Sequence, residues 1–157
     1  MTFRWLMLTT SLLLPTSALC ASRGHSTACP VTKGNGYPPP GEPQGPDRYG
    51  SRALSTILYP EGTVTFCVGG PGFLLADGSL EMKFPWWKET RDKLSIMGRR
   101  LDATAPPLRS DVGESTDFHR VPTYIIFPTT GCWEVTGKAG KAKLVFVTRV
   151  VKIGAGP

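Results

Sequence analysis

Asp77-Gly78-Ser79-Leu80-Glu81-Met82-Lys83-Phe84 decides the fold class of this chain. Asp-Gly tolerates the positive φ of a tight hairpin turn, and here apolar runs flank it, Phe73-Leu74-Leu75 before and Leu80 to Phe84 after. In the second run Leu80, Met82 and Phe84 alternate with Glu81 and Lys83. A period of two puts the apolar set on one face of a strand and the charged set on the other.

The same signals recur on both sides. Leu54 to Tyr59 and Thr63 to Val68 flank Pro60-Glu61-Gly62, a turn in which Pro presets φ and Gly accepts a positive one. Gly69-Gly70-Pro71-Gly72 reads as a bulge or a connection between strands, and no Gly-Lys-Ser/Thr follows to make a phosphate loop. Leu94 and Ile96 mark another strand, and the polar, Pro-containing stretch from Asp102 to Pro122 reads as a long loop. Tyr124 to Phe127, Cys132 to Thr136 and Lys143 to Ile153 complete the series. The last contains Leu144-Val145-Phe146-Val147, apolar on both faces, which predicts a central, buried strand. No window of eleven or more residues has a helical period. The 18 Gly and 15 Pro among 157 residues fit short strands joined by turns. The expectation is an all-β sandwich of seven to eight short antiparallel strands over residues 53–153, with a tail at 154–157.

Pro128-Thr129-Thr130-Gly131-Cys132-Trp133-Glu134-Val135 places a Gly-x-aromatic step at the entry to the penultimate strand. This resembles the corner of immunoglobulin-like domains, with Trp133 where a Tyr usually sits. The resemblance implies an immunoglobulin-like sandwich, with one departure: Val135 stands where the cysteine of the usual inter-sheet bridge would be. The chain also resembles a group of uncharacterised secreted or lipid-anchored bacterial proteins, through Cys29-Pro30-Val31-Thr32, Phe84-Pro85-Trp86-Trp87 and Gly131-Cys132-Trp133-Glu134-Val135-Thr136-Gly137. That likeness implies export and no assigned activity.

Residues 1–21 read as a secretory signal peptide: basic Arg4, an apolar run from Trp5 to Leu19, then small residues ending at Ala18, Cys20 or Ala21 as cleavage points. The run is fifteen residues and contains Pro15, short of the roughly 20 apolar residues of a membrane span. Leu19 argues against a lipid anchor at Cys20, because lipidation sites place a small residue there. Cys29 follows a lipidation-like Ser26-Thr27-Ala28, but Arg23 and His25 separate it from the apolar run. Residues 22–52, with Tyr37-Pro38-Pro39-Pro40-Gly41-Glu42-Pro43, read as an extended, irregular segment. Losing Arg4 with the leader takes the 18 basic residues to 17 against 12 acidic, a net +5 without any basic run. That fits weak attraction to anionic envelope polymers, and not the clustered footprint of a nucleic-acid binder.

An exported chain meets an oxidising compartment. With Cys20 removed, Cys29, Cys67 and Cys132 predict one bridge and one thiol left over. Strand alternation points Cys67 and Cys132 outward, and on opposite sheets they could not meet. Cys29 can wrap over either face, so Cys29–Cys132 is the expected bridge, with Cys29–Cys67 or three free thiols as alternatives.

Trp86-Trp87 is the most suggestive site. Strand neighbours face opposite ways, so one indole could complete the core while the other stands on the surface, among Lys83, Lys88 and Arg91. The competing reading packs both against the sandwich. Ser110, Asp111, Ser115, Asp117 and His119 share a polar loop, but no Gly-x-Ser-x-Gly elbow accompanies them, so no catalytic residues are expected. No metal or cofactor is expected either: there are two histidines, His25 and His119, neither at zinc spacing, and no His or Met follows Cys132 as a copper site would need. Glu134 is expected to contact Lys143 or Arg149 across the final hairpin. The functional expectation is an exported, non-catalytic, cell-envelope-associated module binding a surface polymer or protein, with no transmembrane span in the mature chain. The alternative is an accessory or inhibitor-like domain that pairs with another secreted protein through a sheet edge.

Overall fold

The alternation that opens at Leu80 runs the length of a nine-residue strand in the computed structural model of the chain, which describes residues 29–114 and 119–157. In order, the strands are β1 (Arg48–Gly50), β2 (Leu54–Ile57), β3 (Thr63–Phe66), β4 (Phe73–Leu74), β5 (Leu80–Lys88), β6 (Leu94–Arg100), β7 (Arg109–Val112), β8 (Arg120–Phe127), β9 (Gly131–Ala139) and β10 (Ala142–Lys152). They form an all-β sandwich. One sheet has the order β1-β2-β5-β8-β7, with β4 also paired to β5, and the other has the order β3-β10-β9-β6. Every pairing is antiparallel except β3 with β10.

An aromatic layer joins the sheets. Leu80, Met82, Phe84 and Trp86 of β5 are buried, opposite Trp133 and Val135 of β9 and Phe146 and Val150 of β10. Phe84 stacks on Phe146 with ring centroids 5.8 Å apart, and Phe127 meets Trp133 edge-on at 5.8 Å. Trp86 crosses the interior to Gly137 of β9, where an added Cβ would fall 2.4 Å from the indole. Glycine is therefore required there by its neighbour.

As its doubly apolar run predicts, β10 is central, between β3 and β9. The hairpin at Asp77-Gly78 joins β4 to β5, with Gly78 at φ 81°. The turn expected at Pro60-Glu61-Gly62 is present, with Gly62 at a positive φ of 64°; it is a short 3-10 turn that carries the chain from one sheet to the other, and Glu61 (φ 52°) is left-handed too. Two local readings are corrected. Arg48–Gly50, in the segment read as irregular, is β1, and Arg109–Val112, in the region read as a loop, is β7. Neither has apolar alternation, so each is made a strand by the neighbour it pairs with.

Two of the open edges of the sandwich, β1 and β6, are partly taken up. Gly36 N–H donates to Arg48 O at 3.0 Å, and the Asn35 amide bonds Gly50 in both directions, which covers β1. Thr32 N–H donates to Val147 O at 2.9 Å, and its hydroxyl accepts from Val147 N–H, beside the start of β3 on β10. On the far side Leu108 N–H reaches Gly98 O and the Ser110 hydroxyl reaches Ile96 O, joining β6 to the β7 side.

Gly137→Ala is expected to cost about 1–3 kcal/mol, as overpacking of a filled core does. Adding Trp86→Phe should return part of that cost, because the smaller ring withdraws from the new methyl. Denaturant midpoints of the two single variants and the double variant check this; strictly additive costs would remove Trp86 as the cause.

Candidate functional site

The expected Cys29–Cys132 bridge is present, joining positions 103 residues apart. Cys132 lies opposite Arg149 on β10, so the bridge brings the N-terminal segment across β10 onto the outer face of β9. The expectation of a leftover thiol is corrected: Cys67 is also disulfide-bonded, and no cysteine among the described residues is free. The geometric premise is corrected as well. Cys67 follows β3 and Cys132 lies in β9, strands of one sheet, because the 60–62 turn changes sheets. Residues 1–28, with the signal peptide and Cys20, lie outside the described residues, as do Ser115 and Asp117.

The tryptophan pair does not present a binding surface. Trp86 is fully buried, and its indole Nε1 has no hydrogen-bond partner among the described residues. Trp87 points away from the core, as alternation requires, yet is 3 % exposed, flanked by Ser55 and by Arg120, whose guanidinium lies 5.9 Å from the ring centroid. Chain parity places the ring correctly; the neighbouring strands then cover it. Lys83 is exposed on the outer face of β5. Lys88 is buried and its ammonium donates to Thr90 O at 2.8 Å. Lys88 and Arg91 share a cleft of about 330 Å³ with Lys93, Asp92 and Glu114, where the charges are mixed. Of the five expected binding residues the structure thus brings together Lys88 and Arg91 only.

The polar-loop residues are also apart. The Ser110 hydroxyl donates to Ile96 O, Asp111 stands opposite Tyr124, and His119 lies beyond the end of the β7–β8 pairing with Nδ1 3.1 Å from Lys88 O. Among the described residues no three His, Cys, Asp or Glu side chains gather as a metal site. Glu134 pairs with Arg99 of β6 at 3.0 Å, and the expected contacts to Lys143 and Arg149 are corrected, since their partners in register are Lys138 and Cys132.

A different cluster emerges beside the disulfide. A cleft of about 310 Å³ is lined by Cys29–Cys132, Arg100, Asp102, Gly131, Arg149 and Lys152. Arg100 is held in place: its Nε meets Asp102 at 2.7 Å, its NH1 meets the Thr129 hydroxyl at 3.1 Å, and its guanidinium lies flat against Gly131, where a Cβ would fall 2.4 Å from Nε. That hydrogen bond from Arg100 holds the Asp102 carboxyl below its ordinary pKa. Arg149 is half-buried on β10, and neither it nor Lys152 forms an ion pair among the described residues. One cation is therefore neutralised and two are left facing the cleft. Sequence reasoning missed them because Arg149 and Lys152 are far from Arg100 along the chain; Arg149 after the apolar run Leu144 to Val147 was the available signal.

A larger cleft, about 590 Å³, lies between residues 31–34 and the 58–62 turn and is mostly apolar. Tyr59 on its wall donates to Lys83 O at 2.8 Å, and burial pushes its phenol up to about 12.

These features define a disulfide-stapled all-β sandwich with a cationic cleft at one end. The chain has no significant match among protein-family models, curated proteins or solved structures.

Two measurements check the covalent frame and the buried phenol. Replacing Cys29 and Cys132 together by Ser should lower unfolding stability by about 4–5 kcal/mol, the chain-entropy value for a loop near 100 residues. A denaturant midpoint shift below about 1 kcal/mol would mean the bridge does not constrain the unfolded chain. Because the Tyr59 pKa is raised on folding, its contribution is fully present below the ordinary value of 10 and is lost as pH rises towards 12. Alkaline unfolding should thus be shallower between those values in Tyr59→Phe than in the native chain.

Proposed function

We propose that this chain is an exported, non-catalytic, immunoglobulin-like domain that associates with the cell envelope and holds an acidic group of a surface polymer in the cleft of Arg100, Arg149 and Lys152. The single observation that carries the reading is the pair of cations, Arg149 and Lys152, left without a carboxylate partner among the described residues beside an arginine already fixed by its own. A fixed guanidinium loses little freedom when a carboxylate or phosphate arrives, and the unpaired charges supply the attraction.

Other features agree. The Cys29–Cys132 bridge fits an oxidising compartment. No helix among the described residues is long and apolar enough to cross a membrane. Trp133 supports the immunoglobulin-like assignment: its indole N–H donates to Thr129 O at 3.1 Å, tying the strand entry back to the preceding turn as the aromatic of such corners does. The accessory-domain reading needs a free sheet edge; hydrogen bonds from residues 35, 36, 108 and 110 occupy part of the β1 and β6 edges, so that reading would use β3, β4 or β7.

The expected result is salt-sensitive binding of the secreted chain to envelopes isolated from its own source, weakened about tenfold or more in an Arg149→Glu/Lys152→Glu variant with an unchanged melting curve. Binding that ignores both salt and these substitutions would place the contact elsewhere.

A further inference from the structure

We infer that the end of the sandwich carrying this cleft docks onto an anionic lipid surface, with the apolar tips of residues 68–74 entering the interfacial layer; the inference rests on the envelope reading above and narrows it to a bilayer. The large apolar side chains left exposed among the described residues are Val68 (79 %), Phe73 (54 %), Leu74 (41 %), Leu101 (37 %) and Met97. Scattered singly they would mean nothing. The topology gathers four of them: β3 and β10 end, and β5 and β9 begin, at the end of the sandwich where β6 passes into Leu101 and β4 turns into β5. Only Met97 lies elsewhere, within β6.

The tips are held out by construction. Gly70 N–H donates to Cys67 O at 2.9 Å, closing a turn with Gly69 at φ 73°, and Cys67 is itself fixed by a disulfide. At the other foot of the loop Gly72 is buried, so close to Phe66 and Met82 that a Cβ would fall 2.5 Å from the Phe66 ring. The loop is therefore anchored on both sides of the turn, while Val68 and Phe73, next to the anchors, face solvent. Folding gains nothing from leaving them there.

Charge at the same end selects the partner. Asp77 is bonded by the Ser79 hydroxyl and by Arg109 at 2.7 Å, and Asp102 by Arg100. Those two acids are offset by their own arginines, and Glu81, opposite Phe73 in register, is the one further acid beside the tips among the described residues, against Arg149 and Lys152 in the cleft. Apolar tips at the same end as two cations without an ion pair among the described residues complement acyl chains beneath anionic headgroups, the arrangement by which interfacial segments bind bilayers. A water-soluble polymer would use the cations and leave the tips idle.

The test is flotation of the secreted, disulfide-intact chain with vesicles of phosphatidylcholine containing phosphatidylglycerol, and with phosphatidylcholine alone, at low and high salt. Soluble poly-glutamate serves as a lipid-free acidic probe. The native chain should float with the anionic vesicles at low salt. Val68→Ser/Phe73→Ser/Leu74→Ser should lose that association at least tenfold while keeping its melting curve and its binding to poly-glutamate; Arg149→Glu/Lys152→Glu should lose both. Poly-glutamate binding without vesicle binding, or vesicle binding untouched by the three serines, overturns the lipid inference and leaves the envelope reading standing. Vesicle binding lost in the three-serine variant, without poly-glutamate binding, overturns the polymer reading and supports the inference, whereas absence of envelope binding overturns the envelope reading and the inference with it. A concentration-dependent dimer in analytical ultracentrifugation, abolished by the three serines, assigns the tips to a second copy of the chain and overturns it as well.

Discussion

The inner face of β5 against β9 and β10 is the contact on which everything else rests. Phe84 and Trp86 reach Phe146, with centroids 5.8 and 6.0 Å apart, and Trp86 needs the bare backbone of Gly137 to fit. Aromatic side chains bury large areas with few rotatable bonds, so a few of them in register hold two sheets at one separation and one relative position. The register then has little freedom. A slip by one residue would send Glu81, Lys83 and Pro85 into the interior and Phe84 and Trp86 out of it. The buried, unpartnered Nε1 of Trp86 costs something on the order of 1–3 kcal/mol, and the area buried by the ring outweighs it.

Such a core leaves the sheet edges unprotected, and the N-terminal segment supplies part of the cover. Residues 32, 35 and 36 occupy backbone groups of β10 and β1, and Tyr49 donates to Val145 O at 3.1 Å. A segment with so many Pro and Gly residues has little apolar area of its own to bury, so these hydrogen bonds alone would hold it weakly. The Cys29–Cys132 bridge changes that by making the segment's position a property of the covalent chain. The same bridge forms a wall of the cationic cleft, so edge protection and site are products of one constraint.

This division explains what could be read from the residues. Strands whose partners lie on the buried side declare themselves, Leu80 to Phe84 by alternation and Leu144 to Val147 by continuous apolarity; the Cys29–Cys132 pairing is expected on the premise that Cys67 and Cys132 lie on opposite sheets, which the topology overturns. β1 and β7 do not, because Arg48-Tyr49-Gly50 and Arg109-Ser110-Asp111-Val112 are edge strands created by what they lie against. Trp87 shows the limit of parity. Period two says which way the indole points, but not that Arg120 and Ser55 will stand beside it and close it off. The site failed for a related reason. Arg100, Arg149 and Lys152 meet only because β6, β9 and β10 are neighbours in one sheet, and β3 joins that sheet through a turn whose local chemistry announces a bend without saying where it leads.

The end that carries the cleft differs in kind from the rest of the surface. On β9 the outer face is polar, where Glu134 faces Arg99 and Lys138 stands clear, while outside this end Met97 is the one large apolar side chain left exposed among the described residues. At this end the acids Asp77 and Asp102 are each consumed by an arginine, and serine hydrogen bonds hold the Asp77 carboxyl down at about 2. A carboxylate held this low stays ionised across the ordinary pH range, so its charge continues to offset that of Arg109. What remains beside Glu81 is two cations and four apolar side chains, three of them (Val68, Phe73 and Leu74) next to Cys67 or Gly72 and the fourth, Leu101, after β6. A fold seeking only stability would bury or replace those apolar residues, since each exposed one forgoes hydrophobic stabilisation that its burial would provide. Their concentration at one end, beside the uncompensated charge, is what separates a surface shaped for contact from one that merely encloses a core.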